Sequence, residues 1–136
     1  MIRAVIFDFF GVLEQHLLPN RELLDYVEAE LKPKYKIGII SNVIAGYIYL
    51  ILSKDDMKLF DDVVLSYKAG VAKPEPEIYE LSLRNLGVKA SQAVFIDDQE
   101  VFCEGARAAG MQAIYYEDFS RMKKELEKIL IGGSDN

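Results

Sequence analysis

The chain has 136 residues, 51% of them hydrophobic and 28% charged, with a net charge of −6. That length suits one domain able to bury roughly two thirds of its unfolded surface, and the composition excludes a disordered chain. The negative charge argues against binding along a nucleic-acid backbone, and no apolar run approaches the ~20 residues of a membrane helix.

No basic-then-apolar leader precedes the first apolar run, 2–8, so the expected location is cytoplasmic. That run is β-branched, reads as a buried strand, and ends on Asp8 ahead of a turn at Gly11. His16, the single histidine, falls in the loop beyond and is expected to be an uninvolved surface residue. Asn20 is placed to cap a helix over 20–32. A second buried strand, 35–41, ends in Ser41-Asn42, and a helix over 44–54 leads to a third strand, 62–66. Lys73 sits in a loop before Pro76, which fits the opening turn of a helix over 76–86 with Gly87 as its C-terminal cap. The fourth strand, 93–97, runs into the acid pair Asp97-Asp98. In the helix over 99–109, the single cysteine, Cys103, reads as a small buried hydrophobe and excludes an internal disulfide; Gly110 caps that helix. A fifth strand, 112–116, precedes a helix over 119–131 whose Phe119, Met122, Leu126, Ile129 and Leu130 recur at core-facing spacing. Residues 132–136 read as a frayed tail, which leaves one domain over 1–131.

Alternating strands and helices imply an α/β fold, a parallel sheet with helices on both faces. In open sheets of this kind, ligands bind beyond the carboxyl ends of the strands. To that edge the chain delivers Asp8, Ser41-Asn42, Lys73 and Asp97-Asp98. Each has a bland explanation by itself: Asp8 ends a strand, Lys73 is a solvated loop residue, and the acid pair ends a strand and caps a helix. In this order, together with Gly11-Val12-Leu13, Lys73-Pro74, Leu59-Phe60-Asp61-Asp62-Val63-Val64-Leu65-Ser66 and Gly105-Ala106-Arg107-Ala108-Ala109-Gly110-Met111, they resemble the four motifs of the haloacid dehalogenase (HAD) superfamily. The resemblance covers Ile2 to about Tyr116.

It implies a three-layer α/β/α Rossmann-like domain with strands ordered 5-4-1-2-3 by chain position. Residues 14–34 and 43–72 leave no room for the cap domain that many members insert, so the resemblance is to the capless group. In that group a large or macromolecular phosphorylated substrate, or a neighbouring copy of the chain, would close the site. By the family pattern Asp8 is the nucleophile that forms an aspartyl phosphate. Mg²⁺ would be held by Asp8, the backbone carbonyl of Phe10 and a carboxylate of Asp97 or Asp98. Ser41 would bind a phosphoryl oxygen, Asn42 would help hold that loop at the phosphate, and Lys73 would offset the charge of Asp8 and of the phosphoryl group.

Two residues depart from the pattern. Phe10 stands where most phosphatases of the family carry a second aspartate that protonates the leaving oxygen, so turnover by that route is expected to be slow. Phe102 stands where an asparagine is common, and the two rings are expected to make a drier mouth and to pack on each other. Three readings other than a Mg²⁺-dependent phosphohydrolase stay open. One is a non-catalytic binding or interaction module on the same fold, which Phe10 and Phe102 favour. A second is a haloacid dehalogenase, disfavoured by the cation-suited acid pair. The third, a phospho-acceptor receiver domain, requires the reverse order of acid pair and acceptor.

Overall fold

The computed structural model of the chain describes residues 1–134. It begins with β1 (Ala4–Phe7) and a short antiparallel hairpin, β2 (Glu14–Gln15) with β3 (Leu18–Pro19). Helix α1 (Arg21–Tyr26) follows and runs on into a π-helical turn (Val27–Leu31). Then come β4 (Lys36–Ser41), α2 (Tyr47–Ile51), α3 (Lys54–Met57), β5 (Asp62–Leu65) and α4 (Ser66–Ala69). The chain closes with α5 (Pro76–Leu86), β6 (Ala93–Asp97), α6 (Glu100–Ala108), β7 (Gln112–Tyr115) and α7 (Phe119–Ser134).

The main sheet has five strands in the order β5-β4-β1-β6-β7, every neighbour parallel. Numbered among themselves along the chain, these strands give the expected 5-4-1-2-3 order read from the opposite edge. Strand alternation divides the core. Val5 and Phe7 face one side with Ile37, Ile39, Val94 and Ile96, under α1, α2 and α7. Ala4 and Ile6 face the other with Ile40, Val64 and Phe95, under α5 and α6. A sheet covered on both faces reads as continuous apolar runs, which is why its strands are visible in the sequence. In α7, Met122 and Leu126 are buried while Phe119, Ile129 and Leu130 pack partly against the same core. Cys103 is buried, and burial pushes its thiol up to about 12, which disfavours the thiolate. No helix among the described residues is long and apolar enough to cross a membrane.

Three local expectations change. The helix expected over 44–54 is two short ones, because Ser53 opens a new helix: its Oγ accepts from the Asp56 N–H at 3.0 Å and its own N–H donates to Asp56 Oδ2 at 3.2 Å. The loop after Asp8 folds back as the β2–β3 hairpin, whose turn residues His16 and Leu17 both take positive φ, 54° and 67°. Such turns favour Asn-Gly or Asp-Gly, so His-Leu carries no hairpin signal. The near-buried Glu14 holds this hairpin, accepting from the Leu17 N–H at 2.9 Å and the Gly11 N–H at 3.3 Å. Finally, α7 continues past Ile131 to Ser134, so the expected tail is helical over its first residues; Asp135 and Asn136 lie outside the described residues.

Candidate active site

The site is built where β1, β4 and β6 end together. Register sets Phe7 beside both Ile39 and Ile96, so Asp8 emerges level with the ends of its two neighbours, near Ser41 and Asp97. Lys73 arrives from the loop before α5, at a cis peptide with Pro74. Its Nζ lies 2.6 Å from Asp8 Oδ1 and 2.8 Å from Asp97 Oδ2, and its side chain is 1% exposed. A buried ammonium needs partners of opposite charge, and these two carboxylates supply them.

Several neighbours hold Lys73 in place. Asn42 clasps its main chain, Oδ1 accepting from the Lys73 N–H at 2.9 Å and Nδ2 donating to the Lys73 carbonyl at 3.1 Å. The Nζ also sits 4.8 Å from the Phe102 ring centre and 5.4 Å from that of Phe95, within cation–π range. Helix α6 comes close enough to do this because position 105 is glycine: a Cβ there would meet Tyr79 Oη at 2.7 Å and Pro74 Cβ at 2.8 Å. Tyr79 Oη in turn donates to the Phe102 carbonyl at 2.8 Å.

Asp8, Asp97 and Asp98 each bring an oxygen into one group whose atoms all lie within 4.8 Å. Both Asp97 oxygens are engaged, Oδ2 by Lys73 and Oδ1 by the Gln99 N–H at 3.0 Å. Asp98 leans over the turn at Gly11, where φ is +78° and a Cβ would stand 2.0 Å from Asp98 Oδ2. Only glycine satisfies both conditions there. Burial raises the Asp8 carboxyl from 3.8 to about 7; the Lys73 charge opposes the rise and the Asp97 charge adds to it. Burial and then Asp97 also raise Asp98. Three carboxylates against one ammonium leave an excess negative charge among hard oxygen ligands, a donor set that fits Mg²⁺.

Asp8, Ser41, Lys73 and Asp98 share a cavity of about 250 Å³ with Phe10, Gly11, Asn42, Gln99 and Phe102. The Ser41 hydroxyl is buried with no protein hydrogen-bond partner, so its donor is left for a ligand. His16 does not line this cavity, and neither does Cys103. The expected pairing of Phe10 with Phe102 is not formed. Phe10 meets Phe9 edge-on at 5.2 Å and Tyr47 at 4.9 Å, because α2 brings Tyr47 to its outer side, while Phe102 is taken up by Lys73. Gln99 and Tyr47 are the participants that sequence reasoning missed. Gln99 is signalled by its place directly after the acid pair; Tyr47 reaches the site through tertiary packing alone. A larger cavity of about 410 Å³ lies at the opposite sheet edge, by Arg3, Lys32 and Lys36, and lacks such a constellation.

The family model for haloacid dehalogenase-like hydrolases matches residues 12–116. A glyceraldehyde 3-phosphate phosphatase of Methanopyrus kandleri is 41% identical over 116 residues, 84% of this chain and 50% of its own length. The chain spans half or less of the length of the curated relatives it matches. Among solved structures, an uncharacterized protein of Corynebacterium glutamicum superposes with a TM-score of 0.80 at 26% identity, covering 93% of both chains. A HAD family enzyme variant of Bacteroides thetaiotaomicron, in complex with magnesium and inorganic phosphate, gives a TM-score of 0.65 at 27% identity, covering 77% of this chain and 58% of that one.

Proposed function

Because the chain belongs to the haloacid dehalogenase-like hydrolases, we propose that it is a Mg²⁺-dependent phosphohydrolase working through an aspartyl phosphate on Asp8. The observation that carries this reading is the buried Lys73 bridging Asp8 and Asp97 beside a buried Ser41 hydroxyl without a protein partner. Lys73 holds Asp8 Oδ1, which leaves the second oxygen to attack phosphorus. Ser41 donates to a phosphoryl oxygen, and Asn42 keeps Lys73 where the negative charge builds up. Held by Asp8, the Phe10 carbonyl and Asp98, Mg²⁺ would neutralise phosphoryl charge. Asp98 suits this role better than Asp97, whose oxygens are both engaged.

Among the described residues, 14–31 hold the hairpin and α1, and 42–61 hold α2 and α3, with no domain inserted in either stretch. This supports the capless reading. The phosphatase relative supports a small phosphorylated substrate, and it lends no support to the macromolecular substrate or covering second copy expected from the sequence. The carboxylate trio weighs against dehalogenation. The test is phosphate release from acetyl phosphate with and without Mg²⁺, for wild type and Asp8→Asn. Release that needs both Mg²⁺ and Asp8 supports the reading. A protein that binds Mg²⁺ yet releases none is the non-catalytic module that Phe10 favours.

A further inference from the structure

From the walls of the cavity we infer that the substrate is a phosphate monoester of a phenol, an inference that rests on the phosphohydrolase reading above. Two independent observations converge on it. The first concerns protons: the titratable groups lining the cavity are Asp8, Lys73 and Asp98. Asp8 is the attacking group, Lys73 is held between two carboxylates, and Asp98 belongs to the metal trio. Among the described residues lining the cavity, no uncommitted acid remains to protonate a leaving oxygen. Phenols have a pKa of about 10, whereas an alcohol resembles water at about 16, so a phenolate departs without that help.

The second observation concerns the walls. Phe10 and Phe102 both line the cavity, and Phe10 is 39% exposed with Tyr47 braced behind it at 4.9 Å. Phe102 is fixed by its contact with Lys73, 4.8 Å from its ring centre. A ring attached to a phosphate at Asp8 thus meets aromatic faces and edges, contacts that favour aromatic over aliphatic groups. The cavity, at about 250 Å³, exceeds the ~150 Å³ that is known to admit benzene, which leaves room for the phosphate.

The chemistry balances without a further reactant. An Asp8 oxygen forms a bond to phosphorus while the phosphorus–aryl oxygen bond breaks, its electron pair leaving on the phenolate. Water then attacks the phosphorus of the aspartyl phosphate and the Asp8 carboxylate is released; one proton of that water stays on the phosphate product and the other goes to the departed phenolate.

The experiment uses the whole chain with Mg²⁺ and five substrates: acetyl, phenyl, benzyl and methyl phosphate, and a tyrosine-phosphorylated peptide. Phenyl and benzyl phosphate both carry a ring, but only phenyl phosphate releases a phenol. The expected kcat/KM for phenyl exceeds that for benzyl by about 10²–10⁴, the range a missing proton donor accounts for. The expected KM is lower for both than for methyl phosphate, and Phe102→Leu raises KM for phenyl phosphate by about threefold to tenfold more than for acetyl phosphate. Acetyl phosphate hydrolysis with phenyl no better than benzyl, or with methyl matching phenyl in KM, overturns the inference and leaves the phosphohydrolase reading standing. Absence of Mg²⁺- and Asp8-dependent release from acetyl phosphate overturns both. A preference for the peptide over phenyl phosphate assigns the phenol to protein tyrosine; the reverse assigns it to a small aryl phosphate. Either outcome supports the class.

Discussion

Phe10 stands at the mouth of the cavity with its ring against Tyr47, half open to water, and it does not touch Phe102 as a ring pair. An aspartate at this position would therefore be partly solvated rather than buried between two rings. Phe10→Asp alone is expected to raise turnover of alkyl phosphates tenfold or more, since a positioned acid contributes about 10²–10⁴. The gain should shrink for acetyl phosphate, whose leaving group needs little protonation, so the ratio of the two rates is the measurement. The double change with Phe102→Asn checks the same point at both positions that depart from the family.

Asp8 offers a second test at this scale. Its folded pKa, about 7, lies above the unfolded value of 3.8, so the native state favours the protonated form. Stability from this group is therefore complete below about pH 4 and declines as pH rises through 7. Asp8→Asn removes the charge and should raise the melting temperature of the metal-free protein at pH 8 more than at pH 5. For a domain of this size each kcal/mol recovered is worth about 3–5 °C. Lys73 keeps Asp97 as its partner in this variant. A melting temperature that falls equally at both pH values would count against a raised Asp8 pKa.

At the scale of elements, two close approaches set the geometry of the site. Helix α6 presses on Pro74 only because Gly105 has no side chain. Gly105→Ala should push the helix away from the loop that carries Lys73 and cost about 1–3 kcal/mol, the range for overpacking, read by chemical denaturation. The turn after β1 behaves differently. Gly11→Ala meets both a positive φ and the Asp98 carboxylate at 2.0 Å, so it should displace the carboxylate as well as strain the backbone. The expected result is a reduced rise in melting temperature on adding Mg²⁺, beyond any change in the metal-free value. Gly105→Ala should leave more of the Mg²⁺ effect, because it does not touch the carboxylates.

Over the whole molecule, metal, proton and fold are linked. At the proposed metal site protons and Mg²⁺ would compete for Asp8 and Asp98, both of whose carboxyls burial pushes above the usual carboxylate range. A ligand that binds only the folded state raises the melting temperature, by an amount that grows with the logarithm of its concentration relative to its dissociation constant. Millimolar Mg²⁺ should thus stabilise the chain more at pH 8 than at pH 5.5, and Asp8→Asn should abolish most of the difference. A thermal shift that is equal at both pH values would place the metal away from these carboxylates.

The lateral order of the strands came with the family resemblance, but the amino-acid sequence by itself determined the five buried strands and the order in which Asp8, Ser41, Lys73 and the Asp97-Asp98 pair reach one edge. It could do so because a sheet buried on both faces must be written as apolar runs, and the polar residue that ends each run lands at that edge. Tertiary structure alone decided how those groups meet one another. That Lys73 bridges Asp8 and Asp97, that both Asp97 oxygens accept hydrogen bonds, and that Phe10 leans on Tyr47 while Phe102 covers Lys73 all depend on tertiary distances. The hairpin turn at His16-Leu17 was equally illegible, since its positive φ values are held by Glu14 contacts and not by turn-forming residues. Local pattern records which face a residue occupies; it does not record which neighbour arrives on that face from elsewhere in the chain.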